Sequence, residues 1–87
     1  NLKDAINFLK ENDIWVFAAE ANGENVYQQN LDKNIAIIIG SEGFGVKKSI
    51  IEYCDGVLSL PLKGKVNSLN ASVACGIMVF EVLRQRN

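Results

Sequence analysis

The apolar residues form, in chain order, one helical stretch, three compact runs and a second, longer helical stretch. The first stretch has the spacing of one helix face, with apolar residues at Leu2, Ala5, Ile6 and Leu9. Asn1 precedes it as a suitable N-cap. We therefore predict an amphipathic helix over residues 2–11, ending near Asn12-Asp13.

Two of the compact runs, residues 14–19 and 35–39, are continuously apolar rather than alternating, and residues 57–60 predict a third, shorter strand. Such runs are typical of strands buried on both faces, as in parallel sheets covered by helices. Asn22-Gly23 gives a turn signal after the first run. The second run leads into a glycine-rich loop and a predicted helix, closed by Asp55-Gly56, whose apolar side is Val46, Ile50, Ile51 and Cys54.

The last stretch predicts one long helix from about Ser68 or Leu69 to Gln85. Its apolar residues point in nearly every direction around the axis, which is typical of a helix buried all round. A domain of this size offers one face of contact, so we expect the other face of the helix to meet a second subunit or the segment absent from this chain, most simply the second subunit of a homodimer. The alternative is a helix sunk in its own core.

Helices alternating with apolar strands predict an α/β fold with a mostly parallel sheet and helices on both faces. Residues 1–87 are too few for two domains. Three strands are few for such a sheet, and the chain opens on a helix with no strand before it. We therefore expect the carboxyl-terminal part of a larger domain, with its amino-terminal part absent from this chain.

Composition narrows the possible chemistry. Apolar residues make up 48% and charged residues 22% of the chain, so it should fold, and its longest apolar stretch, residues 71–80, is too short to span a membrane. We expect a soluble, cytoplasmic protein without a membrane anchor. The absence of histidine excludes Ser/His/Asp and Cys/His nucleophilic schemes and the common zinc signatures. Cys54 and Cys75 lack Cys-x-x-Cys spacing, so we expect small buried hydrophobes and no metal site.

The net charge of −1 hides a division along the chain. Residues 1–46 carry three Lys and seven Asp or Glu, and residues 47–87 carry six Lys or Arg and three Asp or Glu. The carboxyl half could contact a polyanion, although the whole lacks the strongly basic balance of an autonomous nucleic-acid binder.

Gly40-x-x-Gly43-x-Gly45, between a strand and a helix, lies where parallel sheets bind ligands. It is neither a dinucleotide fingerprint nor a P-loop, and Glu42 stands where a phosphate would approach. A cationic ligand or a hydroxyl donor therefore suits this loop better than NAD or ATP, which disfavours a flavodoxin-like nucleotide binder. The alternative is a turn that only connects two elements.

Three blocks of sequence carry a family resemblance: residues 39–45 (IGSEGFG) with Cys54-Asp55, residues 58–62 (LSLPL), and residues 66–74 (VNSLNASVA). They resemble motifs two and three of the SpoU/TrmH group of SPOUT methyltransferases, which methylate ribose 2'-hydroxyls of RNA using S-adenosylmethionine. Residues 12–16 and 80–86 look most like the branch that methylates a guanosine of 23S ribosomal RNA.

The resemblance implies a deep trefoil knot, in which residues 60–70 pass through the loop after Gly40, and an obligate dimer packed through the last helix. It implies S-adenosylmethionine as cofactor, with ribosomal RNA a more natural substrate than transfer RNA. Backbone groups that would hold the cofactor belong to Gly40, Leu60, Leu62 and Leu69, with Ala18 near the same crevice. Side chains that would line the methyl-transfer site are Glu42, Ser68 and Asn70. In the alternative interpretation, Ser68 and Asn70 only cap a helix and Glu42 only stabilises its loop.

The family's first motif, a strand followed by an Asn and an Arg, has no counterpart in this chain. The resemblance therefore implies that the isolated chain is inactive, although it carries much of the cofactor crevice. The alternative function is a non-catalytic SPOUT-like module for dimerisation or RNA docking. Basic residues that could contact phosphate, or simply face solvent, are Lys47, Lys48, Lys63, Lys65, Arg84 and Arg86.

Overall fold

The computed structural model describes residues 1–41, 44–61 and 71–87. Its elements, in chain order, are α1 (Leu2–Glu11), β1 (Trp15–Asn25), a 3-10 turn (Val26–Gln28), β2 (Ile35–Ile39), α2 (Lys48–Ile51), β3 (Gly56–Ser59) and α3 (Ala71–Arg86). No helix within these ranges has both the length and the apolar character to cross a membrane.

The amino-terminal helix matches its sequence signals. Asn1 caps α1, because its side-chain oxygen accepts a hydrogen bond of 3.3 Å from the Asp4 N–H. Ile6 is fully buried on the inner face, whereas Leu2 is half exposed. The predicted bounds of residues 2–11 are confirmed.

The three strands form one parallel sheet in the order β2-β1-β3. In register, Ala19 of β1 lies opposite both Ile39 of β2 and Leu58 of β3. β2 and β3 therefore end close to Ala19 of β1, along an edge that we call the carboxyl edge, while β1 itself continues to Asn25. The prediction of a parallel sheet is confirmed.

The predicted turn at Asn22-Gly23 is wrong, because both residues lie within β1. The pairing of β1 with β3 shifts register between Ala19 and Glu24 instead. A Cβ on Gly23 would lie 2.7 Å from the Val57 carbonyl oxygen, so the glycine permits close approach of two strands. The turn signal and the need for a glycine in a close strand contact look identical in sequence.

The prediction that the strands are buried on both faces holds only for part of the sheet. Val16 and Ala18 of the central strand are fully buried, but all five residues of β2 are half-buried. β2 is an outer strand of the described sheet, and so is β3, in which Leu58 and Ser59 are nevertheless buried. One core cluster joins the sheet to α3 and the connection before β2, and consists of Val26, Leu31, Leu58, Met78 and Val82.

α2 differs from expectation, because it is only four residues long and the predicted apolar position Cys54 lies beyond its end. In α3, Met78 and Val82 are buried and Phe80 is 73% exposed, so the described chain covers only one apolar face of the helix. That a second subunit covers the other face stays a prediction. The expected knot lies largely on residues 62–70, outside the described residues, as does the predicted start of the last helix.

Candidate functional site

The carboxyl edge places the ends of three strands side by side. Gly40 follows directly after β2, Leu60 directly after β3, and Glu20 directly after the last residue of β1 that pairs with β2. In parallel α/β sheets, ligands bind outside this edge. The carboxyl edge is therefore the candidate ligand site within the described residues.

The glycine loop, residues 40–46, is closed by contacts between its two described flanks, Gly40–Ser41 and Phe44–Val46. The Gly45 N–H donates to the Ser41 carbonyl oxygen at 2.9 Å, and the two residues form an antiparallel bridge. A Cβ on Gly40 would overlap the carbonyl group of Gly45, so Gly40 must be a glycine for the flanks to meet. Gly45 itself has a φ of +69°, in the left-handed region that favours glycine.

Glu20 ties this loop to the sheet. Its Oε1 accepts a hydrogen bond of 2.7 Å from the Val46 N–H. A Cβ on Gly45 would lie 2.8 Å from both carboxylate oxygens, so the loop backbone packs directly on this side chain. Glu20 is not among the site residues expected from the sequence. The one feature that could have indicated it is a carboxylate immediately after an apolar strand run.

The other side of the edge is held by β3. Ser59, which is buried, donates its hydroxyl to the Gly23 carbonyl oxygen at 2.8 Å. Leu60 is half-buried and packs against the core cluster, and Pro61 after it is exposed. This side of the edge therefore presents the apolar side chains of Leu60 and Pro61, and the Ser59 hydroxyl is already bonded to the sheet.

Asp55, part of the Cys54-Asp55 motif, joins the segment before β3 to the central strand. Its N–H donates to the Val16 carbonyl oxygen at 2.7 Å, and its carboxylate accepts from the Val16 N–H at 2.8 Å. This residue therefore supports the sheet rather than the crevice. Cys54 and Cys75 are free and half-buried rather than fully buried, and burial raises the pKa of the Cys54 thiol.

Three of the site residues expected from the sequence lie within the described structure. Gly40 and Leu60 border the carboxyl edge. Ala18 lies in the body of β1, fully buried between Ile38 and Val57, so it supports the edge from beneath and adds no surface to it. The remaining expected residues, Glu42, Leu62, Ser68, Leu69 and Asn70, lie outside the described residues.

The donor set at this edge suits some ligands better than others. The Val46 N–H, which a phosphate would need, is occupied by Glu20. What the edge offers is glycine backbone, apolar surface at Leu60 and a carboxylate. A ligand that combines an adenosine group with a cationic centre fits this set of groups. A phosphate does not, because the Val46 N–H is not free to bind it. In the part of the chain that the structure describes, no group of three His, Cys, Asp or Glu could hold a metal ion.

A second feature lies on α3, away from the carboxyl edge. An open groove of about 480 Å³ runs beside the helix, with Phe80, Val73 and Gly76 in its lining and Tyr27 across from them. Phe80 and Val73 are more than half exposed. This surface is apolar and faces away from the core cluster.

Glu81 borders the groove at its polar end and is almost fully buried. Its carboxylate accepts from Arg84 at 2.7 and 2.8 Å and from Gln85 at 2.8 Å. These hydrogen bonds, that from Arg84 above all, lower the pKa of Glu81 to about 2. Gln85 also bonds the Leu31 N–H at 2.6 Å and the Gln29 carbonyl at 3.0 Å, which fixes the end of α3 to the connection before β2.

Comparison with known proteins identifies the family of this chain. Residues 1–80 match the model of the SpoU rRNA Methylase family. The chain belongs to this family.

Among curated relatives, a Staphylococcus aureus protein assigned to the TrmH family of tRNA/rRNA methyltransferases is 44% identical over 88 aligned positions. The alignment covers all of this chain but 36% of that protein. The chain thus spans about a third of the length of such relatives, and the activity of a whole protein does not transfer to it directly.

Solved structures confirm the fold class. The TrmH/SpoU tRNA modifying enzyme of A. aeolicus superimposes with a TM-score of 0.88 at 30% identity, over 99% of this chain and 45% of that one. An rRNA methyltransferase of Sinorhizobium meliloti, solved with S-adenosylmethionine bound, gives 0.83 at 25% identity, over 94% and 32%. A solved RNA 2'-O ribose methyltransferase gives 0.83 at 26% identity, over 95% and 33%.

Proposed function

We propose that this chain is the cofactor-binding part of an S-adenosylmethionine-dependent methyltransferase that acts on a ribose 2'-hydroxyl of RNA. The observation that carries the proposal is the carboxyl edge, where glycine backbone, apolar surface and a carboxylate adjoin and the loop amide is closed to phosphate. Family membership and the solved 2'-O ribose methyltransferase of the same fold support the reaction.

The cofactor would be held mainly by backbone groups. Gly40 and Leu60 border the edge in the structure, and the motif resemblance adds Leu62 and Leu69. When bound, S-adenosylmethionine supplies an activated methyl group. The fit to the described edge rests on charge, because a sulfonium is attracted to a carboxylate whereas a phosphate is repelled by it.

The protein's own contribution to the reaction would be alignment. Glu42, Ser68 and Asn70 would orient the ribose hydroxyl and take up its hydrogen bonds, because methyl transfer needs an oxygen nucleophile in line with the methyl group. Ribosomal RNA is our proposed substrate, from the resemblance of residues 12–16 and 80–86 to that branch. Transfer RNA is the competing substrate, since the relatives include enzymes of both kinds. We also propose that the protein acts in the cytoplasm, where ribosomal and transfer RNA are available as substrates.

The test is a methyl-transfer assay on the full-length protein, with ribosomal RNA fragments and transfer RNA offered separately. Asn70→Ala or Glu42→Ala should reduce turnover by roughly 30- to 1000-fold, the worth of one lost hydrogen bond in a transition state. Asn34→Ala, at an exposed asparagine remote from the carboxyl edge, is the matched control and should retain turnover. Circular dichroism on each variant separates lost catalysis from lost fold.

Two results would overturn this assignment. One is full turnover by Asn70→Ala, and the other is efficient methylation of a base rather than a ribose. Failure of the unmodified protein to bind S-adenosylmethionine or to methylate either RNA would favour the alternative, a non-catalytic dimerisation or RNA-docking module of the same fold. The isolated chain should show little or no turnover.

We also propose that the protein is a homodimer through α3. The exposed apolar face of this helix, with Phe80 and Val73 beside the groove, supports the proposal, because monomers rarely leave such a patch in water. Phe80→Asp should dissociate the dimer in sedimentation experiments. Phe8→Asp, at a residue on α1 that is 63% exposed, should leave it intact. A monomeric unmodified protein would contradict the proposal.

A further inference from the structure

We propose that Glu20 is a positioning residue for the cofactor site: its carboxylate fastens the glycine loop to β1 and occupies the loop amide that a phosphate would otherwise bind. The inference rests on the proposed function for the identity of the ligand. Its geometric part, the fastening of the loop, stands independently.

The first step is the contact itself. Glu20 is half-buried, and the hydrogen bond of 2.7 Å from the Val46 N–H to its Oε1 is charge-assisted. The bond spans 26 residues of sequence and joins the central strand to the far flank of the loop. It is the link in the described structure that connects Phe44–Val46 to β1 by a side chain.

The second step is that the loop backbone is shaped around this carboxylate. Gly45 adopts a φ of +69°, and a Cβ there would press on both carboxylate oxygens at 2.8 Å. A Cβ on Gly40 would in turn overlap the Gly45 carbonyl group, so Gly40 cannot gain a side chain without moving the far flank of the loop. The carboxylate, Gly45 and Gly40 therefore form one packed unit.

The third step concerns ligand choice. Glycine-rich loops at this edge bind phosphate when their N–H groups are free to donate. Here the Val46 N–H donates to an internal carboxylate, which also adds negative charge beside the loop. Glu20 thus favours a ligand with a cationic or uncharged head over a nucleotide phosphate.

The experiment compares three variants of the full-length protein: Glu20→Ala, Glu20→Gln and the control Glu24→Ala, which changes an exposed glutamate of the same strand. Hydrogen exchange of the peptide covering residues 44–47 reports the loop, and calorimetry reports binding of S-adenosylmethionine and of ATP. Thermal unfolding reports global stability.

In Glu20→Ala we expect faster exchange in residues 44–47 and a Kd for S-adenosylmethionine about tenfold higher, equivalent to about 1.4 kcal/mol. Glu20→Gln keeps an acceptor oxygen, so it should restore loop protection and most of the affinity. Glu24→Ala should behave as the unmodified protein. ATP should bind neither the unmodified protein nor Glu24→Ala, because both retain the Glu20 carboxylate.

Three outcomes overturn the inference. Unchanged exchange in Glu20→Ala would show that the bond does not hold the loop. Faster exchange with unchanged affinity would show a purely structural role. A Glu20→Gln protein whose residues 44–47 exchange as fast as those of Glu20→Ala would show that a hydrogen bond to an acceptor oxygen does not hold the loop. If the unmodified protein binds no S-adenosylmethionine, the proposed function fails, while the exchange data still decide whether Glu20 fastens the loop.

Discussion

One glutamate fixes the position of the glycine loop and another fixes the end of α3, but their hydrogen bonds differ in kind. Glu20 accepts from a backbone N–H and shapes a loop that contains glycines at its contact points. Glu81 accepts from two side chains of its own helix, and one of these, Gln85, carries the connection to the rest of the chain. Glu20 therefore acts directly on the backbone, whereas Glu81 acts through the Gln85 side chain.

The difference separates two uses of a carboxylate. At the carboxyl edge, a side chain fixes backbone geometry where a ligand is proposed to bind, so changes there should alter binding as well as stability. At the end of α3, the same residue type organises neighbouring side chains beside an apolar groove, so changes there should alter stability first. The predictions below test this contrast.

The largest effect is expected for Gly40→Ala. The added methyl would overlap the Gly45 carbonyl group, which is backbone and cannot turn aside. We expect a loss of about 3 kcal/mol in the free energy of unfolding, together with loss of S-adenosylmethionine binding. Urea denaturation and calorimetry measure the two effects.

Gly76→Ala is the matched control in the other region, since a Cβ there meets nothing within 4 Å. In the middle of α3 this change should raise stability by about 1 kcal/mol, through helix propensity. The measurement belongs at protein concentrations too low for chains to associate. Equal losses in the two alanine variants would refute the packing of Gly40 against Gly45.

The second prediction concerns Gln85, the side chain that connects Glu81 to the rest of the chain. Gln85→Ala removes the acceptor of the Leu31 N–H, and Leu31 is fully buried. An unsatisfied buried N–H should lower the free energy of unfolding by about 2 kcal/mol. Gln28→Ala, at an exposed glutamine, serves as control in the same urea titration. Cofactor affinity should stay unchanged, in contrast to Gly40→Ala.

The smallest effect is a pH dependence. The folded-state pKa of Glu81 is lowered to about 2 from the usual 4.5, so its contribution to stability is fully present above pH 4.5 and is lost as the pH falls from 4.5 towards 2. Glu81→Gln should therefore be less stable than the unmodified protein at pH 7, and the gap should narrow at pH 3. Urea midpoints at both pH values check this, with Glu11→Gln, an exposed glutamate, as control. A gap of constant size would contradict the lowered pKa.

Much of the fold could be predicted from sequence because its signals are local. The bounds of α1 and β2 follow from helical spacing with an N-cap and from an unbroken apolar run. One error arises where a local signal has two physical causes: the sequence at Gly23 predicts a turn, but the glycine serves a close contact between strands. The apolar residues of α3 leave open what covers the face of Phe80, because sequence does not distinguish a core contact from a contact with a second subunit.

The candidate site was predictable in place but not in detail. The position of Gly40 at a strand end and the need for glycine there follow from the motif. The role of Glu20 does not, because its partner Val46 lies 26 residues away and the contact depends on how β1 and β2 align. Glu81 was likewise missed, since a glutamate in an apolar helix gives no sign of which neighbours will bond to it.

The strand order has a consequence for how the chain acquires its structure. β1 is central, yet it pairs in parallel with β2 and β3, which follow it in the chain, and no hairpin joins neighbouring strands within residues 1–41, 44–61 and 71–87. During synthesis, β1 therefore emerges with no adjacent strand to pair with. It must wait for residues 35–39 and then for residues 56–59. Such non-local pairing slows folding and leaves an apolar central strand exposed in the interval. The interval after ribosomal exit is when this domain is most open to aggregation and to capture by chaperones.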